Sequence, residues 1–301
     1  MRTRAIWLAL AGVVVAGAAQ AESVQMTGKF PAGVREAGRL ETVAVDRFDG
    51  RDGRQVETAL EQAIGTPGGR PDGLLSGGVT TGVEENRYQG SEERCVEWKD
   101  GDRNKECIKR AQVPVPCTRR VVIVTVSARL LRADTGLSVY SANKSGRGDT
   151  TWCEGRSPSI AVEQMVSAQI RDIANQIRAD TRPSVQTYRV RFREDRDGMP
   201  KDIGAEFKGI VKLSQNNPGE ACRQWAALDG RLPGNPSVLY NLAVCAEAAG
   251  DYGRALAGYR AAFDAQRKKA SDVSESIDRV DRLAIARADD DDIARRRGPR
   301  R

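Results

Sequence analysis

Six cysteines stand in this 301-residue chain, an even number, and cross-links between them would constrain the fold more tightly than any hydrophobic pattern. No pair has the C-x-x-C spacing, and the chain contains no histidine. A zinc site is therefore not expected, and disulfides in an oxidising compartment are. Cys95 and Cys107 straddle the turn-forming Asp100-Gly101-Asp102. Cys117 and Cys153 straddle Ala133-Asp134-Thr135-Gly136, with Thr135 at their midpoint. Residues equidistant from a hairpin turn can face each other across its ladder. A bulge in the longer loop would spoil that symmetry, and four cysteines permit three connectivities.

The N-terminus carries an export address. Arg2 and Arg4 precede an uncharged apolar run from Ala5 to Ala18, which ends at Ala19-Gln20-Ala21. This predicts a cleaved signal peptide over residues 1–21. The run is about 14 residues, short of the roughly 20 needed to span a bilayer. No cysteine stands at the expected cleavage site, so the exported chain is expected to be soluble and periplasmic, not a lipoprotein. No later stretch is apolar enough to cross a membrane. The net charge is +7. In an exported protein that excess points to acidic partners or anionic surfaces rather than nucleic acid.

The hydrophobic period divides the remainder. Residues 22–39 read as an irregular lead-in. Residues 40–193 read as an α/β sandwich domain with a mainly antiparallel sheet. Its strands are Thr42–Phe48, Leu74–Val83, Arg120–Leu131, Leu137–Ser141 and Val185–Phe192. Its helices are Gln55–Ile64 and a second one opened by Ser157-Pro158. Val122, Val124, Val126, Ala128 and Leu130 mark one face of the strongest strand, and Val185, Tyr188, Val190 and Phe192 are the inward candidates of the last. The charged stretch 84–118 reads as a hairpin excursion tied by sulfur.

After Gly198 the period is helical, and an internal repeat appears. Ala221, Trp225 and Leu228 recur as Ala255, Tyr259 and Ala262, each 34 positions later. This resembles the tetratricopeptide repeat, two antiparallel helices per unit. Residues 199–270 accordingly divide into units at about 202–235 and 236–269. The second, with Leu239, Leu242, Ala243 and the turn Gly250-Asp251-Tyr252, fits best. The first departs at Asn216-Asn217-Pro218-Gly219. Residues 271–301 read as a capping helix and a charged tail, with Asp289 to Asp292 and Arg295 to Arg297 as a frayed end or an electrostatic docking tail. The resemblance makes the helices carrying Cys222 and Cys245 neighbours. A bridge between them is expected, the alternative being two buried free thiols.

The N-terminal half carries TVAVDRFDG, a helix, DGLLSGGV, and a strand ending in ARLLRADTGLSVYS, followed by an amphipathic helix. It resembles the curli-secretion lipoprotein and the lipoproteins that activate penicillin-binding proteins. That likeness, over residues 40–182, implies a small α/β sandwich working through protein contacts at the outer membrane. The chain departs from it in lacking a lipidation cysteine and in the short stretch between Ile64 and Leu74. Membrane-spanning hairpins are not evident, because 84–118 is highly charged.

Chemistry is sparse. Without histidine, the Ser-His-Asp and Cys-His arrangements are excluded. No phosphate-cradling G-x-x-x-x-G-K-[ST] loop occurs. The Asp195-Arg196-Asp197-Gly198 stretch lacks the end ligands of an EF-hand. No enzyme activity, cofactor or metal is expected. The fold class is α+β, an α/β sandwich followed by an all-α tetratricopeptide-type array. The function expected is a non-enzymatic adaptor whose groove holds an envelope protein or peptide. The alternative is a self-assembling structural component of the envelope. The expected groove residues are Glu206, Ile210, Leu213, Tyr240, Asn241, Val244 and Glu247.

Overall fold

The computed structural model describes residues 23–101, 103, 106–266 and 271–297; the expected signal peptide lies outside the described residues. The chain is α+β and divides into two compact units. Among the described residues, one comprises 29–184 with 285–297, and the other comprises 23–28 with the described residues of 185–284.

The first unit is built on a four-stranded sheet in the order β2-β3-β4-β5, made of β2 (Val43–Asp49), β3 (Gly73–Trp98), β4 (Cys107–Arg132) and β5 (Ser138–Cys153). β2 and β3 run parallel, joined through helix α2 (Gly53–Ile64), whereas β3–β4 and β4–β5 are antiparallel. Helix α3 (Val162–Thr181) packs with α2 on one face. The core is aliphatic. Val122, Val124, Val126, Ala128 and Leu130 of β4 lie buried against Leu60 of α2 and Ile170, Ile173 and Ile177 of α3. α3 begins at Val162 rather than at Ser157-Pro158, and Gln164 accepts a hydrogen bond from the Ala161 N–H at its start. Ser159 faces the sheet instead, where its hydroxyl meets that of Thr150.

Two features of the sheet exceed what periodicity shows. β3 and β4 are each 26 residues long, so the charged excursion is a direct continuation of the two central strands. The pairs Cys95–Cys107 and Cys117–Cys153 are joined as disulfides. Cys117 and Cys153 are direct ladder partners, because the bulge at Leu130/Leu131, between the turn and this pair, shifts the register by one residue and brings Cys117 opposite Cys153. Cys95 instead pairs in register with Arg110, so its disulfide runs diagonally across the hairpin.

Residues 22–39 are not an irregular lead-in. They form β1 (Ser23–Phe30) and the one-turn helix α1 (Arg35–Gly38). β1 pairs with β6 (Ser184–Arg191) in a separate two-stranded sheet. β6 is therefore not a strand of the sandwich sheet. Val190 and Phe192 are buried in the helical core, Tyr188 is half-buried, and Val185 is 70% exposed. That core lies among α4 (Lys201–Leu213), α5 (Pro218–Arg231), α6 (Pro236–Ala248), α7 (Tyr252–Ala265) and the first half of α8 (Ser271–Arg297). Asn217, Asn235 and Asp251 cap α5, α6 and α7 through their side-chain oxygens. Ala221, Trp225 and Leu228, and their equivalents Ala255, Tyr259 and Ala262, are all fully buried. Gly258 lets α6 and α7 approach closely, since a Cβ there would sit 2.9 Å from the Cβ of Ala243. The third disulfide, Cys222–Cys245, joins α5 to α6.

The sheet makes a sharp prediction at its glycines. A Cβ at Gly77 would lie 1.8 Å from the Ser127 carbonyl oxygen and 2.9 Å from the Phe48 ring, whereas Gly82 of the same strand has open space. Gly77→Ala should destabilise by about 1–3 kcal/mol. Gly82→Ala should change stability by no more than about 0.5 kcal/mol. Urea unfolding of the two variants tests the contrast.

Candidate functional site

The expected groove positions fall on α4 and α6, and the structure places most of them under cover. Ile210, Tyr240, Asn241, Val244 and Glu247 are buried, Leu213 is half-buried, and Glu206 is exposed in an ion pair with Arg231. They do not line an open groove. The chain itself fills that face, with residues 190–193 following β6 and the first half of α8.

The filling is specific. The Arg193 backbone N–H donates to Asn241 Oδ1 at 2.7 Å, and Asn241 Nδ2 donates to the Arg193 carbonyl at 3.0 Å. One amide side chain thus satisfies both polar groups of one peptide unit, which a strand leaving its sheet would otherwise bury unpaired. The Arg193 guanidinium lies 4.8 Å over the Tyr240 ring and donates to Asp272 and Gln266. Phe192 packs on Trp225 with ring centroids 4.6 Å apart.

Glu247 sits nearly two turns further along α6, and its side chain has no exposed surface. Its carboxylate accepts a two-pronged bond from Arg279 of α8, at 2.8 and 2.9 Å, and a third bond from the Tyr259 hydroxyl at 2.7 Å. Arg279 also lies over the Tyr188 ring. Burial, and then the Glu247 charge, push the Tyr259 phenol far above its ordinary range, and the same causes raise Tyr188. Burial raises Tyr240 as well. These groups hold charge and hydrogen bonds in place. They do not present a nucleophile and a base to an accessible cleft. Sequence reasoning has Asn241 and Glu247 facing a groove, whereas in the structure residues 192–193 and Arg279 occupy that face. Only Arg193, adjoining an alternating run, could have hinted at it.

The second charged cluster lies in the sandwich unit. The acidic run is neither frayed nor free: Asp289 pairs with Arg35, Asp290 with Lys29 and Asp292 with Arg39, all while helical. Arg35 meets Asp289 side-on through Nε and Nη2, and Asp289 is nearly buried. The nearby α3 end is tied by Tyr140 Oη and Lys144 Nζ, both bonded to Asp180 Oδ2.

No protein-family model matches the chain, and no curated protein matches it. Among solved structures it is similar to a protein from Caulobacter crescentus CB15 assigned as a lipoprotein. The identity is 16% and the TM-score 0.30, over 48% of this chain and 91% of that one. It is also similar to the PelC dodecamer from Paraburkholderia phytofirmans, at 18% identity and TM-score 0.26, over 52% and 98% of the two chains. At these scores no argument below rests on either likeness.

Two predictions follow from the buried network. Arg279→Ala leaves Glu247 uncompensated and should cost about 3–5 kcal/mol, whereas Glu247→Leu combined with Arg279→Met should cost far less. Denaturant titration of the single and double variants checks this. The raised Tyr259 pKa binds a proton more tightly in the folded state. Its contribution is therefore complete below pH ~10 and lost as pH rises through the folded value. Unfolding free energy should fall above pH ~10, by up to about 1.4 kcal/mol per pH unit for each such phenol. Tyr259→Phe should flatten that slope.

Proposed function

We propose that this chain is an exported, non-enzymatic protein of the cell envelope that holds another envelope protein. The arm formed by the outer ends of β3 and β4 makes the contact. Three disulfides fit an oxidising, exported setting. The absence of histidine in the sequence supports a binding rather than a catalytic role. No helix among the described residues is long and apolar enough to cross a membrane.

The arm carries this reading. From Gln89 to Trp98, and from Cys107 to Val115, the two strands ladder only with each other among the described residues. At about 3.4 Å per residue the arm projects roughly 30 Å past the four-stranded region. Each strand presents an outer row of backbone donors and acceptors, the usual template for a partner's strand. The Cys95–Cys107 bridge ties the two strands of the arm near its tip, the Cys117–Cys153 bridge anchors β4 to β5 at its base, and Val96 and Ile108 near the tip are exposed. In the helical unit we read α4–α5 and α6–α7 as two tetratricopeptide-type units, at 202–235 and 236–269. Their inner face is occupied in cis by residues 190–193. The full burial of equivalent positions 34 apart supports this.

The alternative, self-assembly, is favoured by a different observation. β5 is an edge strand of 16 residues in the same sheet whose other side leaves β3 unpaired beyond Gly78. Replacing Gly90–Val115 by an Asn-Gly turn, with Cys117–Cys153 kept, should leave far-UV circular dichroism typical of a folded chain and abolish cross-linking to the envelope partner. If light scattering shows a concentration-dependent oligomer that the shortened chain loses, self-assembly replaces the adaptor reading. Partner cross-linking that survives the deletion overturns the arm as the contact.

A further inference from the structure

The sandwich unit contains a cavity of about 540 Å3 beside the end of α8. Pro31, Ala32, Leu40, Pro183, Ala286 and Ile293 make most of its wall. The charged groups facing it are Lys29, Arg35 and Arg182, with Glu41, Asp289 and Asp290. Two of these cations are matched, Arg35 by Asp289 and Lys29 by Asp290.

Arg182 is different. Its two terminal nitrogens donate to the carbonyls of Leu40 and Glu41, both at 2.7 Å, and no carboxylate forms an ion pair with it among the described residues. Burial, and then the charge of Arg178 one turn earlier, hold its pKa below the ordinary arginine value. A half-buried guanidinium bonded directly only to neutral carbonyls, with the Asp72 charge acting on it from beyond ion-pair distance, is a desolvated charge without a directly bonded counter-ion. The end of α3 accounts for part of this placement, since a helix C-terminus favours cations. It does not account for the second space on the other side of Arg182. That space, about 270 Å3, is lined by Lys29, Ala63, Ile64, Arg178, Arg182 and Pro183, with three cations and no acid. The two cavities share Lys29, Arg182 and Pro183.

We propose that these adjoining cavities form one binding site for an anion-headed alkyl amphiphile. Its chain lies along the apolar wall of the larger cavity, and its carboxylate or phosphate head is held by Arg182 and Arg178 with Lys29. The volume falls within the ~300–1,000 Å3 of small-molecule sites, and an apolar wall with a few convergent polar groups is their usual chemistry. The head supplies the directly bonded counter-ion that Arg182 lacks, and Asp290 gives up Lys29 to it. The site is separate from the arm, so its occupancy and the partner contact stand or fall independently.

Isothermal titration of the full exported chain tests this with four probes: decanoate, octanoate, decanol and inorganic phosphate, the first two below their micelle concentrations. Decanoate is expected to bind one to one. Octanoate, two methylenes shorter, should bind roughly tenfold more weakly. Decanol and inorganic phosphate should each bind at least tenfold more weakly than decanoate. Arg178→Gln, whose side chain makes no bond among the described residues, should weaken decanoate at least fivefold with an unchanged melting temperature. Ala286→Phe, which fills the cavity, should abolish binding. Equal binding of decanol and decanoate overturns the anionic head. Equal binding of inorganic phosphate and decanoate reduces the site to a surface anion patch and overturns the amphiphile. No decanoate binding, or binding unchanged in both variants, overturns the site altogether.

Discussion

A carboxylate with no exposed surface has to be neutralised where it stands, and in the helical unit that demand organises everything around it. Glu247 draws Arg279 of α8, Tyr259 of α7 and, through Arg279, Tyr188 of β6 onto α6. Removing water from a charge is costly, and the cost is offset only when geometry and hydrogen bonds are complete. Here both oxygens are satisfied. The neighbouring Asn241 does for a peptide unit what Glu247 does for a guanidinium. Between them, two adjacent turns of one helix recruit a strand exit and a terminal helix to a face that a bare helical array would leave open.

The sandwich unit rests on a different principle. Its two central strands share one long ladder, with helices on the face bearing Val122 to Leu130. Past Cys117 no helix covers the ladder and no third strand joins it among the described residues. A two-stranded ribbon is marginal by itself in water. The Cys95–Cys107 disulfide closes it near the tip and Cys117–Cys153 anchors its β4 strand to β5 at the base, which lowers the entropy of its unfolded forms. An exposed ribbon held so firmly has the character of a binding element, because ordering it on contact would cost little further entropy.

Much of this was legible in the residues. The alternation in 120–131, the amphipathic stripes of α2 and α3 and the turn residues between helices all express local periodicities, and these survive in the fold. So do the cysteine pairings across the two hairpins, although each ladder carries a register shift between the turn and its bridge. The failures share one cause as well. β1 was invisible because Ser23–Phe30 is a short strand broken in character by Gly28 and followed by Pro31, and its partner lies some 160 residues away. β6 was placed in the sandwich because its alternation is the same whichever core it faces. Helix periodicity reads most of the groove positions as open, whereas all but Glu206 are buried or half-buried, because periodicity does not reveal what packs against a face.

The sequence alone therefore determined the kinds of element and the covalent loops, set by neighbours within a turn or a hairpin. The tertiary structure decided which distant segments share a core. It seated residues 190–193 against Asn241, brought Arg279 to Glu247 and docked the aspartates of α8 on Lys29, Arg35 and Arg39. Each of these contacts pairs a buried or half-buried polar group with one far along the chain. Such pairing leaves no periodic trace, because it depends on where the chain returns rather than on how it repeats.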